Sequence, residues 1–194
     1  FAGGEEGFPG ALALRVLYSV TDANELALDY EAMALDEPTV ANFTTHAFFN
    51  LEGSHSTSAL GHEVMICAGR YFGMTSDLIA TGQLLPVEGT PFDLRRPVML
   101  GTRVRGPQAA GGVVGYDDCF AIDRSTAEAD ELALCARVGA PASGRAMEVW
   151  STEPTMQFYT GMVAGEPLAG GPGKGGRRYL QQQSLCFEPQ GYPN

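Results

Sequence analysis

Hydrophobic and polar residues alternate with a period of two along much of this chain. Between Ala11 and Thr21, Leu12, Leu14, Val16, Tyr18 and Val20 fall on one face. That pattern predicts a strand, because successive side chains of extended backbone point to opposite sides. Thr21-Asp22-Ala23-Asn24 reads as a turn, after which Leu26, Leu28 and Tyr30 alternate against Glu25, Ala27, Asp29 and Glu31. The two runs predict a hairpin with one wet face. The same reading predicts strands over Thr39 to Phe49, Glu63 to Ala68, Cys119 to Asp123, Glu131 to Val138, Ala146 to Thr152, Met156 to Thr160 and Leu185 to Glu188. Ser143-Gly144 supplies a turn between two of these strands. Pro86, Gly89, Pro91 and Pro97 punctuate a loop-rich middle, and the Gly/Pro-rich run from Ala164 to Gly176 reads as an exposed loop. No window sustains a 3.6-residue period, so helix is expected to be scarce. Many short strands separated by turns predict an all-β fold, a β-sandwich, in one domain spanning residues 1–194.

Composition narrows the function classes. The 194 residues are 44% hydrophobic and 18% charged, a globular balance. A formal net charge of -11 repels a phosphate backbone, which argues against nucleic acid as a partner. No apolar run approaches the roughly 20 residues a membrane helix needs, and Phe1 to Gly10 carries no signal-peptide pattern. Cys67, Cys119, Cys135 and Cys186 contain no C-x-x-C pair and each lies in an apolar stretch, as buried free thiols do. Free thiols lean toward a reducing, cytoplasmic setting. Neither the cysteines nor the histidines have zinc-ligand spacing, so no metal is expected. Gly173-Lys174 lacks a following Ser or Thr and makes no phosphate-binding loop, and Lys174, Arg177 and Arg178 read as a solvated basic patch.

Few side chains remain as candidates for chemistry. His55 lies in a polar loop, and His62, just before a strand, reads as structural. His46 sits in Asn42-Phe43-Thr44-Thr45-His46-Ala47-Phe48-Phe49-Asn50, where a strand would put Asn42, Thr44 and His46 on a polar face with Phe43 and Phe49 behind them. A half-exposed structural histidine and a sugar-facing acid both fit that pattern. Asp117 and Asp118 are adjacent, so in a strand they point to opposite faces and form no acid/base dyad by themselves. Glu188 closes the apolar run Leu185-Cys186-Phe187. A carboxylate at an apolar edge tends to a raised pKa, which suits a base working near neutrality.

Five segments, in order, resemble the aldose 1-epimerase family. Glu6-Gly7-Phe8-Pro9-Gly10 is similar to its D/E-G-F-P-G segment, and Asn42 to Leu51 to its N-L-T-N-H-S-Y-F-N-L signature. Thr81 to Phe92 resembles P-T-G-x-x-x-x-V-x-G-T-P-F-D, and Gly115-Tyr116-Asp117 matches G-Y-D. Ser143-Gly144-Arg145, Glu148 to Pro154 and Gln157 to Gly161 are similar to S-G-R-x-x-E-V-x-T-x-x-P-x-x-Q-F-Y-T-G. The resemblance implies a galactose-mutarotase-like β-sandwich that interconverts the α and β anomers of free hexoses, glucose or galactose, without a cofactor. It implies His46 as general acid toward the ring oxygen and Glu188 as general base on the anomeric hydroxyl, with Asp117 and Gln157 binding sugar hydroxyls.

The departures set the alternatives. Thr45, Ala47 and Phe48 stand where the family signature has Asn, Ser and Tyr, and Gly191 stands where its E-T-Q-H-F-P-D ending has His. These changes motivate a non-catalytic carbohydrate-binding protein on the same fold as an alternative, and Arg177 and Arg178 keep open an epimerase of hexose 6-phosphates, which the acidic net charge disfavours. The resemblance also implies about a further third of chain before Gly7-Phe8-Pro9-Gly10, with an Arg and a second His that contact the sugar. The sequence is then a piece of a longer epimerase or a shortened member, its C-terminal two-thirds. Alone it would expose sheet edges that favour a homodimer.

Overall fold

The structure, a computed structural model, describes residues 1–75, 77, 79–104, 115–124, 128, 130–161 and 172–193. They form two compact units, residues 1–43 and 44–194. No helix among them is long and apolar enough to cross a membrane.

The first unit is the expected hairpin. Strands β1 (Leu12–Val20) and β2 (Leu26–Ala34) pair antiparallel, from Leu12 opposite Ala34 to Val20 opposite Leu26. Asn24, at φ 62°, lets the chain reverse, and the Thr21 N–H donates to the Glu25 carbonyl at 3.0 Å. Arg15 and Glu31 face each other across the ribbon and form an exposed ion pair at 3.3 Å. On the opposite, apolar face Leu12, Leu14, Val16 and Leu28 are half-buried, whereas Val20 at the turn end is 82% exposed.

The second unit holds two antiparallel sheets. One has the order β11-β10-β7-β4-β5, from β4 (Arg70–Met74), β5 (Ala80–Pro86), β7 (Asp117–Ala121), β10 (Thr155–Tyr159) and β11 (Cys186–Gln190). The other has the order β6-β3-β8-β9, from β3 (Glu63–Ile66), β6 (Val98–Met99), β8 (Ala133–Ala140) and β9 (Arg145–Ser151). Val64, Ile66, Ala136 and Val138 of the smaller sheet share one buried cluster with Phe120, Met156, Phe158 and Phe187 of the larger. Burying both apolar faces against each other makes the β-sandwich that alternation predicts. Helix is confined to three short 3-10 turns among the described residues. Gly144, at φ 71°, closes the β8–β9 turn, where its N–H reaches the Ala140 carbonyl at 2.9 Å, so the expected Ser143-Gly144 turn is present.

Two segments differ from expectation. Thr39 to Phe49 is not a strand: only Phe49 makes a bridge, to Leu185. Alternation alone does not make a strand, because a ladder needs a partner for the backbone groups, and one stands beside Phe49 only. Strands β4, β5 and the two-residue β6 fall where the sequence pattern predicts loop. Gly73 and Gly82 interrupt the pattern of β4 and β5, and a register shift between Phe72 and Met74 breaks the period. Residues 164–171 of the expected Gly/Pro loop lie outside the described residues, and Lys174–Gly176 form a 3-10 turn.

Candidate active site

Alternation decides what the outer face of the larger sheet presents. Met156, Phe158 and Phe187 point into the core, so Gln157 and Tyr159 on β10 and Cys186, Glu188 and Gln190 on β11 point to the opposite face. Strand β7 begins at Asp117, two residues earlier than expected, which sets Asp117 opposite Tyr159. Gln157 lies opposite Glu188 on its other side. The Gln157 amide donates to Asp117 Oδ1 at 2.7 Å, along the cross-strand diagonal.

His46 arrives from outside the ladder. Phe49 and Leu185 exchange both backbone hydrogen bonds, at 2.8 and 2.9 Å, in the antiparallel sense. His46 is three residues before one partner and Glu188 three residues beyond the other, so the bridge carries the two side chains together. Asn50 fastens the segment further, donating to the Gln183 carbonyl at 2.7 Å and accepting the Glu52 N–H at 2.9 Å. The buried His62 completes the anchor: its Nδ1 donates to the Ala59 carbonyl at 2.9 Å and its Nε2 accepts the Leu51 N–H at 3.0 Å. The structural reading of His62 stands, as does the exposed loop position of His55.

A cleft of about 420 Å³ results, lined by His46, Phe48, Asp117, Gln157, Tyr159, Glu188 and Gln190. That is the size of a small-molecule site. His46 Nε2 lies 3.6 Å from Glu188 Oε1, with the imidazole half-exposed and the carboxylate side chain only 10% exposed. Burial pushes the Glu188 carboxyl up, His46 opposes that shift, and the Asp117 charge adds to it. All four residues expected at the site, His46, Asp117, Gln157 and Glu188, meet in this one cleft.

A model of the family described as aldose 1-epimerase matches residues 1–194. The chain belongs to the aldose 1-epimerase family. Among its relatives, galactose mutarotase of Mus musculus is 42% identical over 191 residues, covering 98% of this chain and 52% of the mouse protein. Aldose 1-epimerase of Escherichia coli (strain K12) is 31% identical over 191 residues, 53% of its length. The chain thus spans about half the length of these relatives. A GalM/aldose epimerase homologue from C. elegans superimposes with a TM-score of 0.81 at 25% identity, covering 97% of this chain and 54% of that one. Galactose 1-epimerase from Lactobacillus acidophilus gives a TM-score of 0.77 at 20% identity, over 100% of this chain and 52% of that one.

Within this epimerase fold, three cleft residues stand beyond those expected: Phe48, Tyr159 and Gln190. Tyr159 and Gln190 lie two residues after Gln157 and Glu188, so strand period would have placed them on the same face. Phe48 stacks on the His46 ring with centroids 4.8 Å apart, and Tyr159 meets that ring edge-on at 5.9 Å. Two aromatic contacts thereby limit how far the half-exposed imidazole can swing.

Asp118 points away from the cleft. Burial raises its carboxyl to about 6, although the Asp117 N–H, donated at 3.1 Å, opposes the shift. A carboxyl whose folded pKa exceeds its unfolded value stabilises the fold in its protonated form. That stabilisation is full below the unfolded value and lost as pH rises through about 6. Asp118→Asn keeps an acceptor without the charge. It is expected to be more stable than the parent above about pH 7, by about 1–3 kcal/mol, and nearly equal to it near pH 4. Urea denaturation at the two pH values checks this.

Proposed function

We propose that this chain interconverts the α and β anomers of a free hexose, with Glu188 as general base and His46 as general acid. The convergence of these two side chains on one cleft, 3.6 Å apart, carries the reading. Mutarotation opens and recloses the C1–O5 bond, and O1 and O5 are both bonded to C1. The base and the acid must therefore reach one small region together.

In the forward step the Glu188 carboxylate takes the proton from O1. The O–H electron pair forms the C1 carbonyl, the C1–O5 bond breaks, and the His46 imidazolium delivers a proton to O5. Rotation about C1–C2 turns the other carbonyl face toward O5. In closure His46 takes back the O5 proton, O5 attacks C1, and Glu188 returns its proton to the carbonyl oxygen. Protons balance over the cycle, so the chemistry calls for neither metal nor cofactor. Carboxyl and imidazole can each exchange roles near neutrality when burial lifts the carboxyl.

Asp117 and Gln157, tied together beside Glu188, are suited to hold sugar hydroxyls, and Phe48 and Tyr159 supply apolar wall. Gln157→Leu is expected to raise KM about 5- to 20-fold with a smaller change in kcat, because a bond to an unreacting hydroxyl serves substrate and transition state alike. Steady-state polarimetry separates the two constants.

A free sugar is favoured over a hexose 6-phosphate. Asp117 and Glu188 make the cleft acidic, and Arg177 and Arg178 are absent from its described lining. Arg177 instead donates to the His55 carbonyl at 3.0 Å. Polarimetry of α-galactose and α-glucose, beside their 6-phosphates, tests the proposal. Faster approach to anomeric equilibrium with the free sugars is the expected result. Sugar binding by calorimetry without anomer exchange by NMR would leave a carbohydrate-binding protein instead.

A further inference from the structure

The face that presents Glu188 also presents a thiol that the proposed proton transfers leave unused. Cys186 lies two residues before Glu188 on β11, fully buried, directly opposite Tyr159. Its Sγ, a ring nitrogen of His46 and a carboxylate oxygen of Glu188 all lie within 4.8 Å of one another. One edge of that triangle, His46 Nε2 to Glu188 Oε1, is 3.6 Å. A tetrahedral zinc with bonds of about 2.0–2.3 Å holds its donor atoms about 3.3–3.7 Å apart. The His46–Glu188 edge already has that spacing, and small side-chain rotations close the other two. Three protein donors leave a fourth position open toward the cleft, where water can sit.

We propose that His46, Cys186 and Glu188 bind a thiophilic divalent cation of the zinc class, and that its occupation shuts the cleft to sugar. Nitrogen, sulfur and oxygen donors together select zinc, cadmium or cobalt over magnesium and calcium, which require oxygen cages. Binding exchanges the thiol proton for a metal–sulfur bond and releases that proton to solvent. The bound cation takes the Glu188 oxygen that would accept the O1 proton and the His46 nitrogen that would serve O5. Inhibition, as distinct from binding, rests on the mutarotase reading above.

Cobalt(II) titration of the protein, followed by absorption, reads the site without reference to activity. A thiolate-to-cobalt charge-transfer band with intense tetrahedral d–d bands is expected for the parent. Both should be lost in Cys186→Ser and Cys186→Ala, two variants that guard against misfolding of either one. X-ray absorption of the zinc-loaded parent should show one sulfur at about 2.3 Å with lighter donors at about 2.0 Å. Zinc should slow anomer interconversion reversibly, with EDTA restoring the rate and magnesium having no effect. In the Cys186 variants the inhibitory concentration should rise at least tenfold. No charge-transfer band, a band undiminished in both variants, or a zinc shell without sulfur would each overturn the site. A sulfur-containing site in a protein with no anomer exchange would instead refute the function and leave the metal site standing.

Discussion

Glu188→Gln is expected to lower kcat for anomer interconversion by about 10²- to 10⁴-fold, the range that a positioned general base contributes. The amide has nearly the same shape, so Phe187 beside it stays in the core and the fold is retained. KM should change little, since proton abstraction belongs to the transition state. The parent also carries a pH signature. Because burial raises the Glu188 carboxyl, the rate should fail on acidification at a pH above that of an ordinary carboxylate. The acid limb is expected to disappear in Glu188→Gln. Polarimetry of α-galactose across pH, with near-UV circular dichroism to confirm the fold, measures both effects. An undiminished kcat would remove Glu188 from the chemistry.

His46→Ala is expected to cost a similar 10²- to 10⁴-fold in kcat, in ring opening and closure alike, because O5 gains its proton from His46 in one and returns it in the other. It should also move the acid limb of the remaining rate further up in pH. His46 is the group that opposes the burial shift of Glu188, and Ala leaves burial and Asp117 to act alone. The limb reports the charge of His46 beside Glu188, and the fall in kcat reports its proton transfer to O5. The double variant His46→Ala/Glu188→Gln should be far less impaired than the product of the two single losses, because two groups serving one concerted transfer act as a unit. The half-exposed imidazole stands on an irregular segment, so its loss should barely alter thermal stability.

Strand periodicity foretold most of this architecture because both sheets bury one face against the other, which writes the two-residue period into the sequence. The strands carrying Gln157 and Glu188 are legible on that basis, and the hairpin β1–β2, outside both sheets, is legible from its own alternation and turn. Strands β4 and β5 are hidden by Gly73, Gly82 and the bulge at Phe72 and Met74. Thr39 to Phe49 alternates without forming a strand, and His46 reaches the site by a route that periodicity does not describe. A single bridge, Phe49 to Leu185, aligns His46 with Glu188, and pairing across 136 positions leaves no local pattern. Motif resemblance implies the proposed roles of His46, Asp117 and Gln157, whereas spacing alone leaves His46 ambiguous and the apolar run before Glu188 already suits it to a base. Nothing in the spacing of Cys186 and His46 announces a metal site, because that cluster too is made by the same distant bridge.

The proposed proton transfers require one sugar to touch both groups at once. A crystal structure of the protein with bound galactose, in a slow variant such as Glu188→Gln, tests this most directly. The predicted result is the ring seated in the cleft between Phe48, Asp117 and Gln157, with O1 within hydrogen-bond reach of residue 188 and O5 within reach of His46 Nε2. A sugar bound elsewhere, or one whose anomeric carbon is out of reach of either side chain, would contradict it.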